Sequence, residues 1–269
     1  MKHLLPFFGN RLLREINPNL IEEYMCKRSA EPSYRGHATI PATVNREVAC
    51  LRAISSRAVK HGKAERNPAK WVDRLSENNE RDRVLSPEEY TRLLAHCDDN
   101  LRPIVLIAYH TGMRRGEIFG LTWDMVALKT GFFHLTPEIC KTDEGRSVPI
   151  HRELVDMLEA MPRGLPGVRV FTRNGKSIKC VREGFEAACR RAAIEGFTFH
   201  DLRHTYITNK DREGHSHIVI MASTGHKTMN VFRRYRAVSR EDLRTLVEAG
   251  NENGGQYLDS EPKKKAEEV

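Results

Sequence analysis

The 269-residue chain has no run of 18 or more apolar residues, so no membrane span is expected. Its opening stretch, MKHLLPFFGN, is a poor match to a secretory leader. It has one lysine, Pro6 interrupts its apolar residues, and Arg11 and Arg14 follow closely. No CxxC pair occurs among the six cysteines (Cys26, Cys50, Cys97, Cys140, Cys180 and Cys189), which argues against a zinc knuckle or a disulfide framework. These are expected to be reduced, partly buried thiols of a cytoplasmic protein. Aromatics are scarce at 7%, but 39% hydrophobic and 30% charged residues suit a folded chain with a real core. Acidic residues are outnumbered, 36 against 44 Lys and Arg, giving a formal charge of +8 and a pI near 9.2. That balance favours a polyanionic partner without proving one.

The N-terminal part reads as helical. In NPNLIEEYMCKRSA, Leu20, Ile21, Tyr24 and Met25 recur at helical spacing. The stretch TVNREVACLRAISSRAVKHG carries Val44, Val48, Leu51, Ile54 and Ala58 on one stripe, with Thr43 placed to cap it and Gly62 to end it. Arg46, Arg52, Arg57 and Lys60 fall largely off that stripe and are the candidate phosphate contacts. Between Tyr34 and Arg74, nine Lys or Arg face three Asp or Glu. A solvated helix face is the plainer reading of the same charges.

A linker-like stretch leads to Ser86, Pro87 and Glu89, which together spell a capping box with proline at the first helical position. Helices follow, one ending near Gly112. GFFHLTPEIC and RSVPI then read as two strands around the turn KTDEG. Helical patterns return in HRELVDMLEAM, SIKCVREGFEAACRRAAI, HDLRHTYITNKDRE, SHIVIMASTG and SREDLRTLVEAG. The fold class expected is mainly α with a small antiparallel β-sheet, an α+β arrangement. Residues 249–269 are polar and are expected to be a disordered tail.

Four stretches carry possible chemistry. TGMRRGEI places Arg114 where a helix begins, a setting suited to an oxyanion. HDLRH puts His200 and Arg203 at i and i+3, and His200 and His204 at i and i+4. The second spacing also occurs at metal sites, but HExxH and a clear third ligand are missing, so no metal is expected. Lys141 sits at the mouth of the strand pair. TGHKTMNVFRRYRAVS holds His226 and, nine residues on, Tyr235 among Arg233, Arg234 and Arg236. Breaking a phosphodiester without metal requires cationic donors for the non-bridging oxygens, a nucleophile, and an acid for the leaving oxygen. Two arginines, a lysine, two histidines and a tyrosine supply those groups. Nearby positive charge also favours ionisation of a tyrosine, whose unperturbed pKa is about 10.

In that order and spacing, Arg114, Lys141, His200, Arg203, His226 and Tyr235 resemble the tyrosine recombinases, the phage-integrase type of site-specific recombinases. The resemblance implies four segments. Residues 1–76 would be a helical, SAM-like core-binding domain lacking its first helix, 77–84 a linker, 85–248 the catalytic domain, and 249–269 the tail. It implies that Tyr235 is the nucleophile and forms a 3′-phosphotyrosine. Arg114 and Arg203 would clamp the phosphate, and Lys141 would protonate the 5′-oxygen. His200 would assist proton transfer at the nucleophile, and His226 would hydrogen-bond the phosphate. Glu117 would orient side chains, and the TGxR register favours Arg114 over Arg115. No cofactor is implied. The partner would be double-stranded DNA, with four protomers on two sites exchanging the segment SREDLRTLVEAG, and accessory DNA-bending or directionality factors alongside. The location would be cytoplasmic, at the nucleoid. Two other readings stay open: a DNA-binding remnant without recombination activity, and a type IB topoisomerase with the same residue types.

Overall fold

The computed structural model describes residues 2–32, 36, 38–77, 83–141 and 144–229. The chain divides into two compact units, Met1–Glu80 and Arg81–Val269. The division falls inside the 77–84 segment. Among the described residues, no helix is long and apolar enough to cross a membrane.

The first unit is helical: α1 (Leu4–Phe8), α2 (Pro18–Ala30) and α3 (Pro41–Lys60), with single 3-10 turns at Leu13–Glu15 and Pro68–Trp71. Asn17 caps α2 through Leu20 N–H at 3.0 Å, with Pro18 at the first helical position. Ile21, Tyr24 and Met25 of α2 pack on Val44, Val48 and Leu51 of α3 in one apolar cluster. The pair is also pinned by polar contacts. Tyr24 donates to Glu47 at 2.7 Å, and the buried Arg28 reaches Glu47, Glu31 and Thr39.

Two details of α3 differ from the sequence expectation. It begins at Pro41 behind Ile40, not behind Thr43, because proline is already set for the first helical turn. Ile54 is 40% exposed while Ser55 is buried, so the stripe turns by one residue near the C-terminal end. Gly62 follows that end with φ +67°.

The second unit begins with α4 (Pro87–Ala95), opened by the Ser86–Glu89 capping box. Next come α5 (Leu101–Thr111) and α6 (Arg115–Gly120). A three-stranded antiparallel sheet follows, with β1 (Val126–Ala127), β2 (Phe132–Leu135) and β3 (Arg146–Pro149) in that order. Register is set by Phe133 opposite Val148, both fully buried, while the alternate pair His134 and Ser147 faces outward. The expected strand GFFHLTPEIC is cut at Leu135, since Pro137 starts a 3-10 turn. Then come α7 (Arg152–Ala160), a small hairpin β4 (Thr172–Arg173) and β5 (Lys176–Ser177), α8 (Arg182–Arg191), α9 (Asp201–Arg212) and α10 (His217–Thr224). The hairpin takes Ser177 out of the long helix expected from SIKC onward, and α8 begins only at Arg182.

The core of this unit gathers Ile104, Val105 and Ile107 of α5, Phe133 and Val148 of the sheet, and Leu154, Phe185 and Leu202 of α7, α8 and α9. Helix α9 is buried from Asp201 to Thr208 and packs along α5. A helix enclosed this way can carry a charged residue only if its charge is answered locally. Arg203 is such a residue.

Candidate functional site

Two helices of the second unit end the same way. Helix α5 ends in Thr111-Gly112 and α10 in Thr224-Gly225, with both glycines left-handed (φ +60° and +70°). Both threonines are fully buried, and each hydroxyl donates back one turn: Thr111 to Ile107 O at 2.5 Å and Thr224 to Ile220 O at 2.7 Å. A side chain on either glycine would collide as well as strain the backbone. The added Cβ at Gly112 would lie 2.5 Å from the Tyr206 ring, and at Gly225 3.0 Å from the Arg146 guanidinium.

The carbonyls of these two glycines are crossed by the two arginines singled out in the sequence. Arg203, 2% exposed, donates from Nη1 to Gly112 O at 2.6 Å and from Nη2 to Thr224 O at 2.7 Å. Arg114 donates from Nη2 to Gly225 O at 2.9 Å. Arg203 therefore holds the end of α5 that leads into Arg114, and Arg114 holds the end of α10, which Arg203 also bonds. Glu117, 1% exposed, sits behind them. It accepts from Arg114 N–H at 2.7 Å and from Arg114 Nη1 at 3.0 Å.

Arg146, at the start of β3, completes this frame. It donates to both Glu117 oxygens, at 3.0 and 2.8 Å, and from Nε to Ser223 O at 2.7 Å. Burial alone would raise the Glu117 carboxyl, but Arg146 and then Arg114 outweigh it and hold its pKa below the ordinary value. Sequence reasoning missed Arg146. The one available signal was an arginine directly before an alternating strand, and nothing local distinguished it from a solvated charge.

His226 follows Gly225 and is 8% exposed. Its Nδ1 lies 2.8 Å from Thr224 Oγ1, whose own proton is directed to Ile220 O, so Nδ1–H is the donor. That leaves Nε2 as the acceptor for Arg203 Nη2, at 3.0 Å. Burial first, then the charges of Arg203, Arg114 and Arg146, push its pKa down to about 3, consistent with a neutral ring.

His200 is the N-cap of α9 rather than a residue within the helix. It keeps an exposed face, yet the surrounding cleft walls, followed by the Arg203 charge, lower its pKa. His204, its neighbour at metal-like spacing, is buried and faces Arg83 O at 3.4 Å.

Arg114, Lys141, His200, Arg203 and His226 all border one open cleft of about 740 Å³. Lys141 is an exposed rim residue, as is Lys227, which pairs with Glu144 at 2.9 Å. Tyr235 and the segment SREDLRTLVEAG lie outside the described residues, as does the 249–269 tail. Of the four α3 cations, Arg46, Arg57 and Lys60 are exposed. Arg52 differs: it donates from Nε to Ala69 O at 2.9 Å and from Nη2 to Val72 O at 3.0 Å, tying the Pro68–Trp71 turn to α3. Chemically, the cleft presents paired guanidiniums of fixed geometry, a lysine at the rim and two neutral imidazoles, a set suited to a tetrahedral oxyanion.

This architecture is shared with solved integrases. The Tn1549 transposon integrase, in complex with a circular intermediate DNA, superposes with a TM-score of 0.72 at 16% identity, over 92% of this chain and 91% of that one. A lambda integrase dimer bound to a core site gives 0.71 at 17% identity, over 98% of this chain and 72% of that one. The pattern of the phage integrase family matches residues 83–242. The chain belongs to that family, the tyrosine recombinases. It is 34% identical to a shufflon-specific DNA recombinase of Escherichia coli over 89% of its own length. It is 30% identical to the integrase of Haemophilus phage HP1 over 92% of this chain and 72% of that one. The chain spans 62% of the length of the shufflon recombinase.

Proposed function

We propose that this chain is a site-specific DNA recombinase that cleaves and rejoins strands through a 3′-phosphotyrosine, integrating or excising a mobile element. The observation that carries the reading is the convergence of Arg114, Lys141, His200, Arg203 and His226 on one cleft. In this mechanism the Tyr235 oxygen attacks the scissile phosphorus and the bond from phosphorus to the 5′-oxygen breaks. His200 accepts the tyrosine proton and Lys141 gives one to the departing 5′-oxygen. Arg114 and Arg203 neutralise the non-bridging oxygens. Their guanidiniums are already fixed by backbone carbonyls, so little reorganisation accompanies the rise in charge. The ester conserves the energy of the broken bond. Attack by another 5′-hydroxyl reverses the steps and returns the tyrosine, with no nucleotide cofactor.

His226 can donate to the phosphate from Nε2 only after taking up a proton there, or after its Nδ1 proton has moved. Phosphate arrival supplies the reason, because it offsets the arginine charges that help lower the His226 pKa. Glu117 is a positioning residue, acting through Arg114 and Arg146.

The partner in this reading is duplex DNA, with Arg46, Arg57 and Lys60 supplying backbone contacts. Arg52 contributes through whatever donor capacity its two carbonyl bonds leave. Four protomers would act on two sites, exchanging the segment beyond Tyr235, with accessory factors that bend DNA or set direction. The Tn1549 and lambda integrase structures were both solved on DNA, which supports that partner.

The test is adduct formation on nicked DNA carrying the chain's own attachment site, in chelator. Wild type is expected to give a detergent-resistant protein–DNA adduct. Tyr235→Phe is expected to bind the same DNA and give none. Binding by wild type without any adduct would establish the remnant reading. Relaxation of supercoiled plasmids regardless of sequence would establish the topoisomerase.

A further inference from the structure

Away from the cleft, the last turn of α5 meets the first turn of α7 through ligand-type side chains. His110 Nε2 lies 2.9 Å from Glu153 Oε2 and 3.2 Å from the Tyr90 hydroxyl. The His110 and His151 rings stack with centroids 4.3 Å apart and planes 10° from parallel. Tyr90 is itself held by stacking on Tyr109 at 3.7 Å. One ligand atom from each of His110, His151 and Glu153 lies within 4.8 Å of the others. None of the three borders the cleft.

We propose that His110, His151 and Glu153 form a site for one divalent transition-metal cation of the zinc type, clamping the end of α5 to the start of α7. The Glu153 carboxylate and the Tyr90 phenol both lie within hydrogen-bond distance of His110 Nε2, and the His151 ring stacks on the same imidazole. Two histidines and a carboxylate are a standard donor set for zinc, with solvent completing the fourth position. A tetrahedral ion requires ligand atoms roughly 3.3–3.6 Å apart, so the His110–Glu153 pair at 2.9 Å must open slightly while His151, within 4.8 Å, moves in. The closure falls on His151. Its ring must rotate out of the stack, because one ion cannot lie in two parallel ring planes. His151 is exposed and free to do this, and its Nδ1 accepts the Glu153 N–H at a long 3.4 Å, leaving Nε2 to turn inward. Glu153 is half-exposed, so the ion has an entry path. Burial, and then His151, lower the His110 pKa, which favours the neutral ring a metal requires.

The expectation of no metal rested on spacing within one helix at His200 and His204. This set comes from elements 40 residues apart in the chain and has no local signature. The site is independent of the strand-transfer reading, since its test does not depend on activity.

The test uses the full, tag-free chain stripped with chelator and titrated with Co²⁺ and then Zn²⁺. One equivalent of Co²⁺ should bind without the near-ultraviolet thiolate band that a cysteine site produces. Binding should weaken by on the order of tenfold or more in both His151→Ala and Glu153→Gln. Zn²⁺ should raise the Tm of wild type, but not that of His151→Ala. Absence of stoichiometric binding, a thiolate band, or unchanged affinity in either variant would overturn the site and leave His110 and Glu153 as an ordinary hydrogen-bonded pair.

Discussion

The two Thr-Gly helix ends begin alike and then part. After Thr111-Gly112 comes Met113, 2% exposed in the core, and then Arg114, which caps a new helix and is fixed by Glu117. After Thr224-Gly225 comes His226, which has titrating capacity, and then Lys227, an exposed cation paired with Glu144. The same backbone device thus serves two purposes. At α5 it anchors a rigid guanidinium, and at α10 it presents an imidazole whose protonation is open to the charge around it. The difference lies in the residue after the glycine, apolar in one case and a base in the other.

Removing Arg146 is expected to give the largest effect, since it reaches the α10 end through Ser223 O and the α5 side through Glu117. Arg146→Ala leaves a buried carboxylate with one arginine instead of two and should lower stability by about 3–5 kcal/mol. Chemical denaturation would show this, and Arg146→Lys should fall between the two. Next come the glycines, where the comparison can be broken from either side. Gly112→Ala strains a left-handed residue and drives a methyl into the Tyr206 ring, for a combined cost of about 3 kcal/mol. Gly225→Ala carries the same strain, but its methyl meets guanidinium atoms of Arg146 and Arg114 at 3.0 and 3.3 Å. It should cost about 1–2 kcal/mol while reducing adduct formation more than its stability loss explains. Equal losses at the two positions, in both stability and adduct yield, would erase the distinction.

The last test is in pH dependence, whose effect is smallest near neutral pH. His226 has a folded pKa near 3 against 6.5 for the free side chain, so in that interval the unfolded chain binds the extra proton. Its contribution to stability is present above about pH 6.5 and is lost as pH falls toward 3, with a slope of at most about 1.4 kcal/mol per pH unit. A His226→Gln chain should show a shallower acid loss of Tm than wild type. An identical slope would mean that the ring is not held neutral. DNA or inorganic phosphate in the cleft should lessen the effect by raising the folded pKa.

Much of this was legible in the chain, where local chemistry fixes local structure. Ser86, Pro87 and Glu89 mark the start of α4, and the two Thr-Gly pairs mark where α5 and α10 stop. The alternation around Phe133 and Val148 gave β2 and β3. The small hairpin had a signal that went unused: Asn174-Gly175, both left-handed at φ 52° and 72°, a favoured two-residue turn. Arg146 and Arg52 were not legible, because an arginine bonded to distant carbonyls has the same sequence context as one in solvent. Nor was the N-cap placement of His200, since a helical spacing of three looks the same whether the first residue is within the helix or just before it. The candidate cleft could be assembled in outline from motif order, but the cross-bonding of its arginines depends on tertiary contacts across about a hundred residues.

That cross-bonding affects how substitutions at the cleft should be interpreted. Arg203 fastens the turn that leads into Arg114, and Arg114 fastens the turn after Thr224, itself an acceptor for Arg203. The two positions form a closed loop of mutual support, so neither has an independent share of the rate. Under the proposed function, an alanine at either one removes a charge from the phosphate and also loosens the other's footing. The double substitution should therefore cost less than the sum of the singles, and the shortfall would measure the strength of the loop rather than of either arginine.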